Sequence, residues 1–149
     1  MTDRDRALLA LRPAVDPSAT SGQAADPDAA ATDEEAFLHR TLRPVLKLQN
    51  DVLLALVATD VAKRVPGFDR FSLDDQRERL AQTLRQDSRL KRVLLGVVFG
   101  APTSDELAFA LDHEAEVRRR VVALLAERVA SQTDAVAGAV AGGGRGGVG

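Results

Sequence analysis

Residues 41–64, TLRPVLKLQNDVLLALVATDVAKR, decide how the rest of the chain is read. Spaced at 100° per residue, Val45, Leu46, Leu48, Val52, Leu53, Leu54, Leu56, Val57 and Val61 cover nearly the whole helical circle. Only an arc holding Lys47, Asp51, Ala58 and Ala62 reads as solvent-facing. A helix apolar on most sides belongs at the centre of a bundle. Gln49, Leu53, Leu56 and Asp60 recur at i, i+4, i+7 and i+11, so two polar groups share a stripe with two leucines. A carboxylate in that position is costly unless paired or hydrogen-bonded. The expectation is therefore that Asp60 pairs with Arg64 one turn on and that Gln49 bonds a neighbouring helix. The sharper reading gives both to a ligand. Pro44 either kinks this segment or sits in the first turn of a new helix capped by Thr41, and the second arrangement is expected.

Working outward, Asp33, Glu34 and Glu35 suit the positive N-terminal end of a helix, and Phe37, Leu38 and Leu42 give it an apolar face. Before it, residues 1–32 hold only Ala7, Leu8, Leu9 and Leu11 as a possible helical turn, stopped at Pro13. The rest is rich in Ala, Pro, Asp and Ser without a periodic apolar face, and reads as a disordered leader. After residue 64, Val65-Pro66-Gly67 ends the central helix, and Phe68 and Phe71 plug the core end. Ser72 opens an amphipathic surface helix with Leu73, Leu80, Ala81 and Leu84 inward. Asp87 or Ser88 caps another, with Leu90, Val93, Leu94, Leu95, Val97 and Val98 inward, ended by Gly100. Thr103 and Glu106 have capping-box spacing and start a last long helix reaching Ser131. Its core face is Leu107, Ala110, Leu111, Ala115, Val121, Val122, Leu125 and Val129. Glu114 and Arg118 fall within that face at ion-pair spacing. Residues 133–149, rich in glycine, read as a flexible tail. The pattern predicts an all-α fold: a small single-domain bundle of four to five helices over residues 33–132, between disordered tails.

Composition narrows the chemistry. The chain has 149 residues, 45% of them hydrophobic, which supports one modest core. Net charge is −2, too near neutral to announce a nucleic-acid or membrane partner. There is no cysteine, which excludes disulfides and thiolate chemistry. The opening residues do not read as a signal peptide, and the apolar stretch from Val93 to Ala101 is far short of the ~20 residues a membrane span needs. A cytoplasmic protein without a membrane partner is the default. His39 and His113 stand on different helices without carboxylate-bridged ligand spacing, so neither a metal nor another cofactor is expected. No nucleophile elbow or phosphate loop is present. The basic cluster Arg85, Arg89, Lys91 and Arg92 is interleaved with acids and lacks stacking aromatics, so nucleic-acid binding is disfavoured.

The segment TLRPVLKLQND resembles one that marks a family of small uncharacterised bacterial all-helical proteins, TLRP-(I/V)-LKLQND. The likeness covers roughly residues 36–132. Members often carry an automatic "glyoxalase" label, which implies βαβββ modules and His and Glu metal ligands that this sequence lacks. The resemblance implies a helical fold and weight on Thr41, Arg43, Lys47, Gln49, Asn50 and Asp51, without supplying a reaction. The function expected is a non-catalytic protein-interaction module, through a protein partner or self-association as a homodimer. The alternative is a small-molecule site or small enzyme in the bundle, built from Arg43, Lys47, Gln49, Asn50, Asp60, Glu114 and Arg118.

Overall fold

The computed structural model describes residues 1–13 and 33–146, and every regular element among them is helical. In order they are α1 (Asp3–Leu11), α2 (Asp33–Phe37), a π-turn (Leu38–Leu42), α3 (Arg43–Leu48), α4 (Asn50–Arg64), a 3-10 turn (Phe68–Arg70), α5 (Leu73–Gln86), α6 (Ser88–Phe99), α7 (Ser104–Asp112), α8 (Glu114–Ser131) and α9 (Thr133–Gly146). The all-α class stands, but there are more helices than the four to five expected.

Part of the excess comes from breaks that no proline or glycine announces. Gln49 leaves helical geometry at φ −90°, ψ 3° and separates α3 from α4. His113 does so at φ −120°, ψ 36° and divides the expected last helix into α7 and α8. That second break shifts the buried face. Leu111, expected inward, is 60% exposed, Ala115 is also exposed, and Val117 enters the core instead.

Both ends of the described chain also differ from expectation. Thr2 caps α1 with a full capping box to Asp5, and the helix is tied down by long-range hydrogen bonds. The unstructured leader is therefore corrected over Asp3–Leu11; residues 14–32 of it lie outside the described residues. Thr133–Gly146, expected as a flexible tail, forms α9 and packs against α4, α5 and the 3-10 turn. Thr133 and Val136 are buried there, so burial outweighs the helix cost of glycine.

Pro44 sits in the first turn of a new helix, as expected, but that helix is not capped by Thr41. It lies at the start of α3, yet the chain runs into it helically through the π-turn, with no side-chain cap at Leu42. Proline offers no N–H and clashes with the carbonyl four residues back. The wider π-turn absorbs that conflict, and the Arg43 N–H bonds the Leu38 carbonyl five residues earlier. Thr41 is consequently not a cap.

The chain divides into two compact units, each assembled from two stretches of sequence: residues 1–49 with 98–121, and residues 50–97 with 122–149. In the first, Phe37, Leu42, Val45, Leu46, Val98, Ala110, Val117 and Val121 are buried. In the second, Leu53, Val57, Ala58 and Val61 of α4 are buried with Phe68, Leu80, Leu84, Leu94, Leu125, Val129 and Val136. The α4 stripe is narrower than a fully buried helix would show. Val52 is 48% exposed, whereas Ala58, assigned to the solvent arc, is 5% exposed.

The remaining breaks follow side-chain chemistry. Gly67 takes a left-handed φ of 74° and turns the chain out of α4. Phe68 is then fully buried, and buried Gln76 donates to its carbonyl (3.1 Å). Ser72 caps α5, and Asp87 caps α6 by accepting from the Leu90 N–H (3.0 Å). Among the described residues no helix is long and apolar enough to cross a membrane.

Candidate functional site

Three groupings could carry function, one in the first unit and two in the second. In the first, Glu106 begins as one half of a capping box with Thr103, and its carboxylate accepts the Thr103 N–H (2.8 Å). The same carboxylate accepts two bonds from Arg12 (2.9 and 2.6 Å) and one from the Thr41 hydroxyl (2.5 Å). Burial alone would raise its pKa, but these donors outweigh that and hold it down at about 2. Nearby, Asp5 accepts the Ser104 N–H (2.9 Å) and hydroxyl, and Arg4 donates to the carbonyls of Gly100 and Pro102. These bonds pin α1 to the start of α7. A carboxylate so fully engaged is a structural anchor.

In the second unit, Asp60 and Asp87 form a carboxyl pair. Arg64 donates from Nε to Asp60 Oδ1 (3.2 Å), and the same nitrogen lies 3.1 Å from Asp87 Oδ2. The expected Asp60–Arg64 pairing is therefore present, with Asp87 as a third member the sequence reading gave only to capping. The Oδ2 atoms of both aspartates are buried and accept no hydrogen bond. Burial raises the pKa of Asp60 first, and contact with Asp87 raises it further against the pull of Arg64. Asp87 is shifted down, chiefly by the Leu90 N–H, with Asp60 and Arg64 assisting against desolvation. The two shifts run in opposite directions, as contact between two carboxyl groups requires.

The remaining candidates fall into separate networks. Asn50 and Gln132 exchange amide hydrogen bonds (2.9 and 2.8 Å), and Arg128 adds a third to Asn50 (3.2 Å). Asn50 and Asp60 stand ten residues apart on α4, about 15 Å along its axis, so they do not share a site. Arg43 is partly buried, and its Nε makes no hydrogen bond. Lys47 is exposed on the same short helix, and Gln49 is the bend residue that follows it. Glu114 and Arg118 are both exposed and form no ion pair with each other; the acid used on α8 is Glu116, which binds Arg119 and Arg120. The expected ion pair inside an apolar face is thus corrected, because the bend at His113 turns both side chains outward. His113 stacks on Phe109 (centroids 4.2 Å apart), with Nδ1 3.0 Å from the Phe109 carbonyl. Among the described residues no group of three or more His, Asp or Glu is placed to hold a metal.

The third grouping is an apolar groove. Ala81 and Leu84 of α5, Leu94 of α6 and Val122, Leu125 and Ala126 of α8 line about 550 Å³ of it, with Arg85 and Lys91 at its polar edge. Lys91 donates to the Arg85 backbone carbonyl (3.0 Å), and the Arg85 guanidinium forms no ion pair among the described residues.

No family model, curated protein or solved structure matches the chain.

Proposed function

We propose that the chain is a non-catalytic interaction module that holds an amphipathic helix of a protein partner in the groove between α5, α6 and α8. The groove is the observation that carries this reading. Its floor is aliphatic, and among the described residues its only charges are the cations Arg85 and Lys91. A partner helix with apolar residues at i, i+3, i+4 and i+7 and carboxylates on its flank complements both features. Most ionisable groups with shifted pKa values hold helices in place, as Glu106 and Asp5 do, which supports a structural rather than catalytic use of charge. Membership of the group marked by the TLRP-(I/V)-LKLQND segment is proposed on that segment alone.

The test uses a fluorescent helical peptide with a leucine stripe and glutamate flanks, titrated into the full chain. Saturable binding that Ala126→Glu abolishes supports the reading, because Ala126 is exposed at the groove and its replacement spares the core. Light scattering on the same samples asks whether a second copy is the occupant. A dimer that Ala126→Glu splits replaces the partner by the chain itself. A monomer that ignores the peptide ends the proposal.

A further inference from the structure

A different face of α5 carries a second feature. Arg79, Gln82, Thr83 and Gln86 recur at i, i+3, i+4 and i+7 and so share one stripe. With Arg64 and Val65 at the end of α4, and Asp87, they line a cleft of about 460 Å³. Such a volume lies within the range of small-molecule sites.

Hydrogen-bond donors are in excess there. Arg64 uses only Nε, which donates to Asp60 and lies 3.1 Å from Asp87 Oδ2, and its two terminal nitrogens make no hydrogen bond among the described residues. Arg79 lies over the Phe71 ring, 4.3 Å from its centroid, which fixes the plane of the guanidinium while leaving its N–H groups unspent. The side-chain amides of Gln82 and Gln86 are likewise unbonded among the described residues. The charged acceptor is already committed: Asp87 Oδ1 is taken by the Leu90 N–H, and Asp87 Oδ2 lies 3.1 Å from Arg64 Nε. Among the described lining residues Asp87 is the one acid against the two guanidiniums of Arg64 and Arg79, so the lining keeps a positive surplus.

We propose that this cleft binds a small oxyanion, a phosphate or a carboxylate group, through Arg64, Arg79, Gln82 and Gln86. Guanidinium groups match such anions with paired, charge-assisted hydrogen bonds, and the two amides supply further donors at the spacing of one helical turn. Among the described residues Val65 is the one aliphatic side chain in the lining, so the ligand recognised is polar rather than lipid-like.

The test follows the side-chain N–H signals of Arg79, Gln82 and Gln86 by two-dimensional NMR. Inorganic phosphate is titrated into one sample and citrate into another, at constant ionic strength. Saturable shifts with phosphate alone identify a phosphate site, and saturation with citrate alone a carboxylate site. Saturation with both supports a general oxyanion site. Gln86→Glu places a repelling carboxylate in the cleft without changing side-chain size, and is expected to weaken binding at least tenfold. Arg77→Gln, exposed on α5 outside the lining, is expected to leave it unchanged. Unchanged melting of both variants shows that the fold is kept. Shifts that fail to saturate, or that weaken equally in the two variants, overturn the proposal.

Discussion

At the scale of single residues, the informative pair is Asp60 and Asp87. Sequence spacing placed Arg64 beside Asp60, because i, i+4 contacts are local. It gave no sign of Asp87, which lies beyond the Gly67 turn and the whole of α5. The sign of the resulting pH effect follows from the raised pKa of Asp60. The folded state holds the proton more tightly than the unfolded state, whose value is 3.8, so this group's contribution is greatest at low pH. It is lost as pH rises through the folded value. Asp60→Asn keeps the shape, accepts from Arg64 and donates to Asp87 without titrating. The variant is therefore expected to be at least as stable as the wild type at pH 7, by up to about 1 kcal/mol. Its advantage should shrink on acidification. Thermal melts from pH 4 to 7 measure this; a clear loss of stability at pH 7 would show that the ionised carboxylate is what α4 requires.

At the scale of helices, capping chemistry was legible and helix continuity was not. Ser72, Asp87 and the Thr103–Glu106 box start helices as their side chains dictate, since each bond lies within one turn. The interruptions at Gln49 and His113 lack such a local signal, since neither a proline nor a glycine marks them. Helix α9 shows the opposite error: composition argued for flexibility, and packing against α4 and α5 prevailed. Gly138, Gly142 and Gly143 are not required by close approach, since a Cβ at any of them meets nothing within 4 Å. Gly138→Ala is therefore expected to stabilise the protein by about 0.5–1 kcal/mol. Chemical denaturation reads the change, and a loss of stability would mean that α9 is not helical at that residue in solution.

For the molecule as a whole, acid is the condition that exposes how its carboxylates are used. Glu106 has a folded pKa of about 2 against 4.5 unfolded, so its contribution is complete above 4.5 and is lost as pH falls towards 2. Asp5, Asp87 and Glu116 are shifted in the same direction, and among the described residues Asp60 alone of the shifted groups opposes them. Melting temperature should therefore drop steeply below about pH 4.5, and Glu106→Gln should flatten that drop while lowering stability at pH 7. A Glu106→Gln profile parallel to the wild type would remove Glu106 as the acid-sensitive anchor.

The sequence by itself determined the all-helical class, the starts of α2, α5, α6 and α7, the Asp60–Arg64 pair and the core positions Leu53, Val57 and Val61. Each of these follows from chemistry within one or two helical turns. Only the tertiary structure decided that α1 and α9 are part of the folded protein, that Glu106 receives Arg12 and Thr41, and that Asp60 meets Asp87. It also decided that a groove and a donor-rich cleft lie on two faces of α5. Those features join residues distant in sequence, and helical periodicity records which way a side chain points but not which other helix it meets.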